Sequence, residues 1–181
     1  MNWIIVGCIA FILLTLFDAN KHYHWHSALN LLFPLAIGIL IWAAVSLGLN
    51  QAYYGNFQAY PLFYGLVLLG ILEQFYALFF ALPTKSTYVG LGPIPLVNTG
   101  LYGLCRHPGV WGFFAIGLGL TLATGSVLIA FASITWFLFD LLHIAVEDFI
   151  FFPLFIPGYL DYQKQVPFLF FGVKEIKRCL E

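Results

Sequence analysis

The chain is 181 residues long, 62% hydrophobic and 8% charged, with a mean hydropathy of +0.94 and a formal net charge of −1. A single water-soluble core of this size cannot hide that much apolar surface, so the chain reads as an integral membrane protein. Seven lysines and arginines in all also exclude a nucleic-acid partner, which would need a basic face with many phosphate contacts.

A helix needs about 20 apolar residues to cross the hydrocarbon layer. Helices are the expected form, because in lipid every backbone N–H and C=O must be satisfied within its own segment, and no alternating barrel pattern occurs. The expected architecture is therefore all-α, with about five transmembrane helices over 2–17, 28–49, 60–82, 108–123 and 127–146.

The first span has no basic leader and no small-residue cleavage site, so it reads as retained rather than as a removable signal. After it comes the stretch KHYHWHS, residues 21–27. His22, His24 and His26 resemble metal ligands in type, but Tyr23 and Trp25 between them suit an interfacial loop at headgroup level. No Cys, Asp or Glu cluster of suitable spacing completes a set, and no metal is expected. The third span carries Glu73 near its middle, where a carboxylate is costly unless paired, protonated or facing water. It reads as part of a polar substrate tunnel or as a hydrogen bond between helices, and the same holds for Asp140 in the fifth span.

Between the third and fourth spans lies the loop YVGLGPIP, residues 88–95. Its glycines would admit a nucleotide close to the backbone, yet a loop between spans needs turn residues anyway. The fourth span opens on CRHPGVWG, residues 105–112. Proline suits a first helical turn, where its missing N–H removes no intrahelical bond. Only Thr124, Gly125 and Ser126 separate this span from the next, which forces an antiparallel hairpin and brings its open ends together. One end is Arg106-His107-Pro108, with free backbone N–H groups and a positive dipole end; the other is Glu147-Asp148, at the exit of the fifth span. The first attracts an anionic group, the second an ammonium or hydroxyls. His143 lies one turn before Glu147 on the same helix face.

The seven basic residues sort with topology. With the N-terminus outside, Lys21, Lys85 and Arg106 fall in inner loops, and Lys164, Lys174, Lys177 and Arg178 in an inner, cytoplasmic C-terminal tail. Cys8, Cys105 and Cys179 are odd in number and scattered, which suggests free thiols. No repeat or soluble domain interrupts the chain. The expectation is one membrane domain over 1–181, made of a three-helix part (1–82) and a cofactor-binding part (83–181).

Gly100, Tyr102, Arg106, His107, Pro108, Gly112, Glu147, Tyr159, Tyr162, Val166 and Pro167 together resemble the pattern of the integral-membrane methyltransferases, which include isoprenylcysteine carboxyl methyltransferases and phospholipid N-methyltransferases. The likeness covers about residues 83 to 170. The departures are Val110 for the tyrosine of R-H-P-x-Y, Asp148 for a second glutamate, and Gln163 where a basic residue often follows Y-x-x-Y.

What the resemblance implies is an S-adenosyl-L-methionine-dependent enzyme with a lipophilic, membrane-embedded acceptor: an isoprenylcysteine-like carboxylate, a lipid amine or a thiol. Arg106, His107 and Glu147 form the implied catalytic set. Arg106 and His107 would anchor the donor's polar end, Glu147 its ammonium or ribose, and Tyr102 and Trp111 the adenine or substrate boundary. Pro108, Gly112, His143 and Asp148 complete the cofactor-binding set, while Glu73, Tyr159 and Tyr162 face the substrate. Membrane lipid is the expected partner, with no obligate protein partner. Two alternatives stand beside this reading: a nicotinamide-dependent membrane reductase of related fold, and a noncatalytic lipid-binding or transport protein.

Overall fold

The computed structural model describes residues 2–54, 60–89 and 94–180. The described residues are helical or irregular, with no strand among them. Four helical stretches are long and apolar enough to cross a membrane, Trp3–Tyr23, Ser27–Tyr53, Pro61–Phe80 and Val127–Phe155, and Gly109–Thr124 is a shorter apolar helix. Gly90 and Gly92 of the expected nucleotide-approach loop, and the Cys179 thiol, lie outside the described residues; Cys8 and Cys105 are free.

Helix α1 spans Trp3–Tyr23 and is longer than the sequence suggested. Asp18 does not end it, because its side chain turns inward, 3% exposed, and never meets lipid. Lys21, expected in a loop, lies on the same helix. The helix stops at His24, in the left-handed region with φ 51, whose N–H donates to the Asn20 carbonyl at 2.8 Å. Of the three alternating histidines, His24 is thus a helix terminator and His26 caps the following turn by accepting from the Ala28 N–H. Tyr23 and Trp25 stack on each other and are exposed.

A 3-10 turn, Ser27–Leu31, leads into α2, Leu32–Tyr54. A second one, Pro61–Phe63, opens α3, Tyr64–Phe75, which continues through a π-helical turn at Tyr76–Phe80. The short α4, Leu101–Leu104, precedes the R-H-P segment, and α5 runs Gly109–Thr124 with Pro108 at its cap. Gly125, at φ 61, takes the left-handed conformation that closes α5. Ser126 then caps α6, Val127–Val146, by accepting from the Ile129 N–H. The expected tight reversal between these two helices is thus present.

The end of α6 differs from expectation. Glu147 and Asp148 do not leave the helix; they begin a π-helical turn, Glu147–Phe151, that passes into α7, Phe152–Phe155. A π turn carries one extra residue per hydrogen-bonded ring, and such turns are frequent at functional sites. Helix α8, Tyr159–Gln165, and α9, Val173–Leu180, form the tail.

Packing fixes the order of helices. Helix α1 lies against α2 and α6, α5 against α3 and α6. The α3–α5 contact is made of glycines: a Cβ on Gly70 would meet the Gly112 carbonyl at 2.6 Å, and one on Gly119 would meet the Val67 nitrogen at 2.9 Å. Small residues let two backbones approach where lipid offers no hydrophobic drive. On α1, Gly7 sits under the Trp136 ring of α6, whose Nε1–H donates to the Ile4 carbonyl at 2.9 Å. That contact holds α1 against the middle of α6 and sets the register in which Asp18 faces His143.

Candidate functional site

A cavity opens where α1, the end of α3, the R-H-P segment, α6 and the tail converge. Tyr102, Arg106, His107, Pro108, His143, Glu147, Tyr159 and Tyr162 line it. Trp111, Gly112, Asp148 and Glu73 do not. Trp111 donates from Nε1 to the Leu169 carbonyl at 3.1 Å and packs edge-on to Phe170. Gly112 is at the α3–α5 contact, where the Glu73 carboxylate lies against it. Glu73 Oε2 is buried there without a hydrogen-bond partner, so of the two membrane carboxylates in question only Asp140 lines the cavity.

Two adjacent carboxylates have opposite surroundings. Asp148 is fully buried and saturated: Arg106 Nε and Nη2 donate to its two oxygens at 2.8 Å each, Tyr159 OH at 2.6 Å, and Gln163 Nε2 at 3.2 Å. His107 Nε2 stands 3.2 Å from Oδ1. The remaining Arg106 nitrogen donates to the carbonyls of Gln163 and Val166 at 3.0 and 2.7 Å. The guanidinium expected to hold an anionic group is thus engaged by Asp148 and by the tail. The Arg106 N–H also donates to the Pro167 carbonyl at 3.0 Å. Asp148 and Gln163, two of the departures from the family pattern, contact each other, since Gln163 Nε2 also donates to the Asp148 carbonyl at 2.7 Å.

Glu147 is placed between two imidazoles. His107 Nδ1 lies 3.9 Å from its Oε2 and His143 Nε2 lies 3.7 Å from its Oε1, both beyond hydrogen-bonding distance. Because Asp148 can only accept, the proton of a neutral His107 sits on Nε2, leaving a lone pair on Nδ1 toward Glu147. Burial pushes the His107 imidazole below its ordinary value, against the pull of Asp148, so the neutral form holds at physiological pH.

Gln74 Oε1 and Thr87 Oγ1 are buried, unpartnered, and belong to residues that line the cavity. The tyrosines are already tied: Tyr162 OH donates to the Tyr102 carbonyl at 2.6 Å, Tyr102 OH to the Ala77 carbonyl at 3.2 Å and Tyr88 OH to the Leu78 carbonyl at 2.9 Å. Burial raises the Tyr102 and Tyr88 phenols and pushes the Cys105 thiol up to about 11, so these groups stay protonated.

Sequence reasoning missed Asp18, Lys21, Gln74 and Thr87. Lys21 Nζ lies over the Phe17 ring at 4.6 Å, with the Tyr88 and Phe155 rings at 5.9 and 5.8 Å. The signal for Asp18 and Lys21 was their three-residue spacing directly after an apolar run, which places both near one face if the helix continues.

A family model described as Phospholipid methyltransferase matches residues 58–151, more than half of the chain, from the start of α3 to the π turn after α6. No curated protein and no solved structure matches.

Proposed function

This chain belongs to the phospholipid methyltransferase family, and from that premise we propose that it methylates the headgroup amine of a membrane phospholipid. It is an S-adenosylmethionine-dependent membrane methyltransferase of phospholipid-type substrates, as members of that family are. Among the acceptors left open by the sequence, the amine is the nucleophile that phospholipid headgroups carry.

The observation that carries the reading is the set of acceptors at Glu147, flanked by two imidazole nitrogens at 3.7 and 3.9 Å, with Gln74 Oε1 and the Thr87 hydroxyl unpartnered among the other residues that line the cavity. These residues fit the methyl donor, whose ammonium and ribose hydroxyls are hydrogen-bond donors and whose sulfonium is a cation. Bound there, S-adenosylmethionine supplies an activated methyl group for in-line displacement, which depends on alignment and exclusion of water more than on an acid or base catalyst. Glu147 accepts from the donor's polar end. His107, its tautomer fixed by Asp148, offers Nδ1 as a further acceptor. Arg106 is a positioning residue: through Asp148 and the carbonyls of Gln163 and Val166 it ties the tail to the R-H-P segment. Tyr159 and Tyr162 then close the cavity from the tail side, and the apolar wall around Leu14, Phe33 and Ile144 excludes water.

The basic residues favour an N-terminus outside and a cytoplasmic C-terminus. Gly109–Thr124 serves as the fifth crossing, and residues 83–181 carry the donor site, with α1 contributing from the three-helix part.

The test is a transfer assay. Purified protein supplied with methyl-labelled S-adenosylmethionine and a total lipid extract is expected to label a phospholipid amine, identified by mass spectrometry. Label recovered as a base-labile methyl ester or as a thioether would assign another acceptor, and the absence of any labelled lipid would contradict the proposal.

A further inference from the structure

Helix α1 lies outside residues 58–151, yet it brings a carboxylate into the cavity wall. Asp18 Oδ2 lies 3.8 Å from His143 Nε2, which is itself 3.7 Å from Glu147 Oε1. The three side chains offer one ligand atom each, all within 4.8 Å of one another.

The tautomer of His143 decides what this cluster offers. Thr15, one turn before Asp18, spends its single hydroxyl proton on the Phe11 carbonyl at 3.0 Å. Its oxygen, 3.1 Å from His143 Nδ1, therefore accepts from that nitrogen. With the proton on Nδ1, the Nε2 of the neutral ring presents a lone pair to two carboxylates. His143 is 9% exposed, and Nε2 has no partner within hydrogen-bonding distance among the described residues. Three acceptor side chains thus face one another, with one proton shared between the Asp18 and Glu147 carboxyls that an entering ammonium would displace.

We infer that Asp18, His143 and Glu147 form a three-acceptor cradle for a primary ammonium, the amino-acid end of the methyl donor, so that α1 supplies a donor-specificity residue. A primary ammonium carries three N–H bonds, one for each acceptor. The inference rests on the donor reading above and extends it to Asp18, with His143 presenting Nε2 as an acceptor in the tautomer that Thr15 fixes. One imidazole and two carboxylates also describe a divalent-metal ligand set. Lys21 argues for the singly charged ligand, since its ammonium already lies in the electrostatic field of both carboxylates and would repel a divalent ion more strongly. Fixing of Nδ1 by Thr15 serves either ligand by orienting the ring.

The experiment compares two ligands on the full chain in detergent by isothermal titration. S-adenosylhomocysteine carries the ammonium; 5′-methylthioadenosine keeps the nucleoside and lacks the amino-acid end. Asp18→Asn is expected to weaken S-adenosylhomocysteine roughly 10- to 100-fold, the range for a charged hydrogen bond, and to leave 5′-methylthioadenosine within about twofold of the unsubstituted protein. Thr15→Val, which removes the acceptor for Nδ1 without touching the cradle, is expected to weaken the first ligand alone and by less. Equal weakening of both ligands, or no change in either variant, would overturn the inference while sparing the donor site. So would stoichiometric divalent metal in the purified protein that Asp18→Asn releases. Failure of the unsubstituted chain to bind S-adenosylhomocysteine would instead sink the donor reading itself.

Discussion

At the residue scale, the site turns on two neighbours, Glu147 and Asp148, that share a charge and differ in everything around it. Asp148 is enclosed by Arg106, Tyr159, Gln163 and His107 and has no face left for a ligand. Glu147 has acceptors beside it and the cavity before it. Breaking a buried ion pair from one side leaves an uncompensated charge and costs about 3–5 kcal/mol. Asp148→Asn is therefore expected to lower the unfolding midpoint in detergent markedly, because Arg106 keeps its charge and loses its counterion. An unchanged midpoint would show that the Arg106–Asp148 pair does not hold the tail. The two departures from the family pattern also meet in space: the shorter carboxylate of Asp148 receives the Gln163 amide where the pattern has a basic group.

At the element scale, the α3–α5 contact depends on backbone approach through Gly70, Gly112 and Gly119. A side chain at Gly70 would meet the Gly112 carbonyl and the Ile116 nitrogen, at 2.6 and 3.0 Å. Neither atom can yield without moving a helix. Gly70→Val is expected to destabilise by about 1–3 kcal/mol, read as loss of monodisperse protein on size exclusion. Gly65→Val, on the same helix with open space at its Cβ, is the matched control and should behave as the unsubstituted chain. Helix existence and the reversal at Thr124-Gly125-Ser126 were legible from hydropathy and turn residues. Helix ends were not, because an ionisable residue reads as the edge of a span. Asp18 and Glu147 instead stay inside their helices, where a cavity rather than lipid receives them. The π turn at Glu147 had no signature in composition.

At the scale of the whole molecule, the meeting of His107 with the Glu147-Asp148 pair was legible from spacing, since a short reversal brings both ends of a helical pair together. The contribution of α1 was not, because it depends on which face of one apolar helix packs against another. Trp136 over Gly7 settles that register, and nothing in a uniformly apolar stretch marks it. The roles proposed for Arg106 and Asp148 also shift from ligand contact to support, which only the full set of hydrogen bonds made visible. What unites these scales is one acceptor-rich pocket wall drawn from helices far apart in sequence. The most direct measurement is the affinity of S-adenosylhomocysteine for the unsubstituted protein and for Glu147→Gln, each shown to be folded by its thermal midpoint. The account predicts binding to the first, a loss of at least about tenfold in the second, and midpoints that agree. Equal affinity in two folded proteins, or no binding to either, would contradict it.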